Sequence, residues 1–178
     1  EGFLINQIQQ VGHTALREQI GLFDRYISAS SMQIEEMKLI LKNLFKLGAN
    51  GLSFGLEYVP GSSKEEVLEL SKVAAQYGKL VSIHTRKDCY EGLTSLREAI
   101  NIAKETGAVI EFEEDPMVAT KEANAIYTDV WVSMGDPDEV WEERINDLLP
   151  YRVTMDLINN AKGSVVFMHC LPAFHDLK

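Results

Sequence analysis

The chain has 178 residues, enough for one domain with a real core or at most two small ones. An apolar share of 46% and a charged share of 25% are those of a globular protein, not of a disordered or fibrous one. The net charge of -10 excludes a nucleic-acid or anionic-membrane surface, because either needs clustered Lys and Arg.

In chain order, Phe3–Val11 reads as a first strand ending at Gly12 and His13. A polar stretch follows to Ser30. Ser30 and Gln33 have the spacing of a capping box, and Met37, Ile40, Leu41, Leu44 and Leu47 form the apolar stripe of the helix they open, which Gly48 ends. Asn50–Leu56 is a second strand. A second capping box over Ser62–Glu65 opens a helix with Val67, Leu70, Ala74 and Tyr77 inward and Gly78 as its stop. Leu80–Ile83 is a third strand, ending at His84. Ser95–Glu98 caps a helix with Leu96, Ile100 and Ala103 inward and Gly107 at its end. Val109–Phe112 is a fourth strand, and Glu111, Glu113, Glu114 and Asp115 form a short acidic run, expected as a solvated strand end and helix start.

Asp115-Pro116 places an N-cap before Pro at the first helical position. Ala125–Val132 is a fifth strand. Asp136-Pro137 repeats the start signal for a helix carrying Val140, Trp141, Ile145, Leu148 and Leu149. A further helix is expected over Tyr151–Ala161, and Val165–Met168 is the last strand. Trp131 and Trp141 read as core.

Six apolar strands alternating with helices predict right-handed βαβ units. The expectation is one three-layer α/β domain over residues 1–178. Its mainly parallel sheet would have about six strands, Rossmann-like and doubly wound. No Gly/Ser linker separates the halves. Two distant cysteines, Cys89 and Cys170, without a CxxC, suggest a reducing, cytoplasmic setting. No apolar run is long enough to span a membrane, and the first ten residues lack the pattern of a signal peptide. GxGxxG, Walker A and HExxH patterns are absent, so no cofactor is expected. A monomer or homodimer is expected.

The phrases EDPMVATKEANAIYTDVWVSMG, WEERINDLLPYRVTMDLINN and FMHCLPAFHD run from about Asp115 to Asp176. This stretch resembles the ornithine carbamoyltransferase family. The resemblance implies that Asp129, Ser133 and Met134 lie in the amino-acid-binding motif and that Cys170 and Leu171 line the site near the reacting amine. A carboxylate at a strand end suits an ammonium group, and the loop after the strand supplies backbone donors. The family's STRT-type phosphate motif has no counterpart in this chain. Without it, the positioning and charge stabilisation of carbamoyl phosphate are missing.

Residues from about Ile8 to Gly107 carry VGHTALR, GANGLSFGLEYVPG and VSIHTR, and resemble the N-acyl-D-amino-acid deacylases of the amidohydrolase superfamily. The resemblance implies barrel βα units, with His84 where a strand-end His ligates zinc, Arg86 after it, and Tyr58 in a substrate-contacting loop. One ligand does not hold a catalytic zinc. His13 reads as a hydrogen-bonded structural residue. If all strands shared one parallel sheet, His13, His84, Asp129, His169 and Cys170 would gather along one rim, where adventitious zinc or nickel could bind.

These readings combine into an engineered chimera. Residues 1–107 supply half-barrel βα units and 108–178 supply Rossmann-like units, joined near the helix ending at Gly107. The expectation is a scaffold with no complete active site that is not an enzyme. The alternative is residual ligand or metal binding, or weak hydrolase or carbamoyltransferase activity.

Overall fold

A computed structural model describes residues 9–87, 92–132 and 137–169. The chain divides into two compact units, Glu1–Ile110 and Glu111–Lys178. The first holds β1 (Gln10–Gly12), α1 (His13–Gln19), α2 (Ser31–Lys46), β2 (Gly51–Gly55), α3 (Lys64–Gln76), β3 (Leu80–His84) and α4 (Gly92–Glu105). The second holds α5 (Pro116–Thr120), β4 (Ala125–Thr128), α6 (Trp141–Leu148), α7 (Met155–Asn160) and β5 (Val166–His169). Among the described residues no helix is long and apolar enough to cross a membrane.

The fold is mixed α/β with parallel strands, but the strands do not form one six-stranded sheet. Five short strands among the described residues make a three-stranded sheet, β1-β2-β3, and a two-stranded one, β4-β5. The expected strand Val109–Phe112 does not form, and Val109 and Phe112 are exposed. A parallel strand buried on both faces needs a near-continuous apolar run. Here Glu111 interrupts a four-residue segment that leads directly into Glu113 and Glu114.

In the first unit the parallel register pairs Leu52 with Val11 and Val81, and Phe54 with Ile83. Alternation then puts Val11, Leu52, Phe54, Val81 and Ile83 on the face that meets the helices. Leu52 and Phe54 are buried with Leu16, Ile34, Met37, Leu41, Phe45, Val67, Leu70 and Ile102. The other face carries Gln10, Gly12, Gly51, Ser53, Gly55, Leu80, Ser82 and His84, and the Ser82 hydroxyl donates to Gln10 Oε1 across it at 2.6 Å. A sheet with one apolar and one polar, glycine-rich face packs helices on the first only.

The helix starts follow the capping chemistry with small shifts. Ser30 accepts from the Gln33 N–H and the Gln33 side chain accepts from Ser30 N–H, the expected reciprocal box. Ser63 caps α3 by accepting from Glu66 N–H. In α2 the buried stripe is Ile34, Met37, Leu41 and Phe45, while Leu47 is exposed at the C-cap. Helix α4 begins at Gly92, so Ser95 sits inside it and not at its cap. Ser95 turns inward to accept from Lys87 N–H, and Ile102 replaces Leu96 as the buried contact. The polar stretch after His13 holds an additional short helix, α1, which buries Leu16 but also His13 and Arg17.

Those two polar residues converge on a buried carboxylate. His13 Nε2 lies 2.7 Å from Glu66 Oε1, and Arg17 donates to both Glu66 oxygens at 2.7 and 2.9 Å. The other end of the guanidinium donates to the carbonyls of Asp24 and Ile27, so one side chain ties α1 and α3 to the loop before α2. Burial alone pushes the Glu66 carboxyl up. The hydrogen bonds from His13 and Arg17, with their charges, together outweigh burial and hold it below the ordinary glutamate range. A depressed folded-state pKa stabilises the fold above the unfolded value of about 4.3, and that stabilisation is lost as pH falls through the folded value. Thermal melts between pH 7 and pH 3 are therefore expected to show a steep acid loss in the wild-type first unit. In Glu66→Gln the loss should be shallower; parallel curves would show that this carboxyl does not drive acid unfolding.

In the second unit β4 and β5 pair in parallel, Ala125 with Val166 through Thr128 with His169. Asp115 caps α5 by accepting from Met117 N–H, with Pro116 at the first helical position, as the sequence signal requires. Thr154 caps α7, so the helix expected from Tyr151 begins at Met155. Ile126, Val132 and Leu157 are buried; Trp131 and Trp141 are half-buried.

Candidate functional site

At the C-terminal end of the first unit's strands, His84 closes β3 and Glu57 follows β2. Their side chains meet at 2.8 Å, His84 Nε2 to Glu57 Oε2, and both are about half exposed. A carboxylate can only accept, so Nε2 is the donor of this bond. The Tyr58 ring stacks on the imidazole, centroids 5.4 Å apart and planes at 29°. Gly55 makes room for it, since a Cβ there would come within 2.9 Å of the tyrosine ring. Arg86 does not face this pair. It donates twice to the Glu98 carboxylate, at 3.0 and 3.1 Å, and to the carbonyls of Pro60 and Ser62, fastening the loop after β2 to α4.

In the second unit Asp129 follows β4 directly and is exposed. Its Oδ1 accepts from Val130 N–H at 2.7 Å, which restrains the carboxylate at the strand end. His169 closes β5 beside Thr128, with its ring edge-on to Phe167 at 6.4 Å. The parallel ladder thus places the end of β4, with Asp129, next to the end of β5, from which the HCLP segment continues. Ser133, Met134, Cys170 and Leu171 lie outside the described residues.

The common rim expected for the strand-end residues presupposes one sheet, whereas among the described residues His13 and His84 belong to the first unit and Asp129 and His169 to the second. His13 is buried against Glu66. Among the described residues no group of three or more His, Cys, Asp or Glu side chains could hold a metal ion. His84 has one carboxylate neighbour, Glu57, which is short of the three ligands of a catalytic zinc. The sequence reading missed Glu57 as the partner of His84 and Glu66 as the partner of His13. Neither pairing has a local signature, because the partners are 27 and 53 residues apart.

The profile of the aspartate/ornithine carbamoyltransferase Asp/Orn-binding domain matches residues 61–178, more than half of the chain. The chain belongs to that family. A catabolic ornithine carbamoyltransferase of Mycoplasma capricolum subsp. capripneumoniae is 55% identical over 91 residues, covering 51% of this chain and 29% of that protein. The chain thus spans under a third of the length of this curated relative. By structure, an N-acyl-D-glutamate deacylase from Bordetella bronchiseptica superposes with a TM-score of 0.57 at 20% identity, covering 92% of this chain and 30% of that one. A D-aminoacylase gives 0.54 at 19%, covering 89% and 29%. At that identity the two deacylases speak for the fold alone.

The family match overturns the expectation of a scaffold that is not an enzyme. That expectation rested on the missing phosphate motif and metal ligands. The match, however, is to the amino-acid-binding domain of a carbamoyltransferase, which is a different part of the enzyme from a phosphate-binding domain. The absence of a phosphate motif from these residues therefore carries no weight against the class.

Proposed function

We propose that this chain supplies the ornithine-binding side of an ornithine carbamoyltransferase. The observation that carries the reading is Asp129, a carboxylate fixed at the C-terminal end of a parallel strand and beside the strand that leads into HCLP. Ligands of α/β sheets sit at such strand ends. In this reading Asp129 accepts hydrogen bonds from the α-ammonium group of ornithine. Ser133 and Met134 follow it in the same motif and complete the hold on the amino-acid backbone. Cys170 and Leu171 line the path of the side-chain amine. Holding that amine in line with a carbamoyl carbon is the positioning part of the reaction.

We also read β4 and β5 as belonging to a larger doubly wound sheet. Tyr127, Val166, Phe167 and Met168 are exposed, whereas parallel strands ordinarily bury both faces. The two kinds of likeness support a mosaic origin, with deacylase-like βα units ahead of the carbamoyltransferase segment.

Calorimetric titration tests the ornithine reading. Ornithine is expected to bind, and Asp129→Ala to weaken it about ten- to a hundredfold, the worth of a hydrogen bond to a charged group. Equal affinity in the variant, or equal binding of aspartate, would refute it.

A further inference from the structure

The β4–β5 ladder is only four residues long and buries only Ile126, and register is weakly specified where neither face is well buried. Something outside the strands must set it, because a slip of one residue moves every side chain of β5 to the opposite face. The structure offers a candidate at the opposite end of the unit from Asp129. Asn160 is the last residue of α7, and its carboxamide spends both hydrogens on α5: one on the Met117 carbonyl at 2.6 Å, one on the Thr120 hydroxyl oxygen at 3.0 Å. The Thr120 hydroxyl in turn donates to the Pro116 carbonyl at 2.8 Å. The amide therefore reads one position along α5, and its partner is itself locked.

From Asn160 the two chains run side by side toward the sheet. Lys162 N–H donates to the Ala123 carbonyl, then Val166 N–H to the Asn124 carbonyl, and the ladder proper begins at Ala125 and Val166. Asn160 is the first contact in this series. On the α5 side the connection is tight, with Glu122 at φ 59 in the turn before β4, so little slack remains to absorb a shift.

We infer that Asn160 is a positioning residue that sets the register of β5 on β4, and through it the placement of Asp129 beside the C-terminal end of β5. This rests on the ornithine reading only for its functional consequence. The register itself is a separate observable.

The register is read by disulfide formation in a protein whose own cysteines are replaced by serine. Cysteines at Thr128 and His169, direct partners in the ladder, are expected to cross-link readily, and cysteines at Thr128 and Met168 poorly. Adding Asn160→Asp, which removes the donors and sets a carboxylate against the Met117 carbonyl, should lower the first yield several-fold and raise the second. Thr120→Val, a milder change that removes one acceptor, should shift the yields the same way if Asn160→Asp fails to fold. Unchanged cross-linking in both variants would overturn the inference. Ornithine affinity, measured with Cys170 retained, should fall at least about tenfold in Asn160→Asp, since a one-residue slip displaces a strand by about 3.3 Å. If cross-linking shifts but ornithine binds neither protein, the ornithine reading fails and the register inference stands. If ornithine binds both proteins equally and cross-linking is unchanged, the inference fails and the ornithine reading stands.

Discussion

Replacing Glu66 by alanine is expected to remove a large share of the stability of the N-terminal unit. Glu66 is fully buried and is the shared acceptor for His13, for two bonds from Arg17, and for the backbone N–H of Ala29 at 3.4 Å. Alanine leaves the Arg17 guanidinium inside the protein with no counter-charge, and breaking a buried pair from one side costs about 3–5 kcal/mol. Against a typical total of about 5–15 kcal/mol that is a large share. The loss should exceed that of a simple cavity, because Arg17 also holds the Asp24 and Ile27 carbonyls and would have to abandon them to reach water. Chemical denaturation followed by near-ultraviolet circular dichroism measures it. A loss below about 1 kcal/mol would mean that Arg17 finds solvent without strain. The combined change His13→Phe, Arg17→Met, Glu66→Leu should recover much of the deficit, since replacing the buried Arg17–Glu66 pair together with its histidine partner removes the burial penalty with the attraction.

Gly61→Ala is expected to have the next largest effect, for a steric reason. A Cβ at position 61 would overlap the backbone of Tyr26 and Ile27. Backbone cannot rotate aside as a side-chain tip can. The two loops must separate, and with them go the bond from Gly61 N–H to the Arg25 carbonyl at 2.9 Å and that from the Ser28 hydroxyl to the Gly61 carbonyl at 2.7 Å. Overpacking and the lost hydrogen bonds together are worth about 2–4 kcal/mol. Gly12→Ala is the control: its Cβ would meet nothing within 4 Å, and it should stay within about 0.5 kcal/mol of wild type. Equal melting temperatures for the two variants would show that the loops yield freely.

Local signals in the chain were read well where the physics is local. The Ser30–Gln33 box, the Asp115-Pro116 start, and β2, β3, β4 and β5 all stand close to where capping chemistry and apolar runs put them. The expected fifth strand, β4, stops at Thr128, short of Val132, so Asp129 follows it and does not lie within it. The short helix α1 was not legible. Its inward face carries His13 and Arg17 as well as Leu16, and a stripe containing a charge reads as a solvated loop until its partner is known.

What the sequence determined by itself, then, is the alternation of parallel βα units, the helix starts at Ser30 and Asp115, and the resemblance of about Asp115–Asp176 to the carbamoyltransferase family, whose domain profile matches residues 61–178. Each follows from patterns within one or two turns of chain or from long matching phrases. The tertiary structure alone decided that the strands fall into two sheets, that Glu66 neutralises Arg17, that Glu57 orients His84, and that Asn160 reads a position on α5. These join residues 27 to 49 positions apart, or depend on which strand finds an edge to pair with. Such pairings are fixed by the packing of whole elements, and no window of sequence contains both partners and the geometry that brings them together.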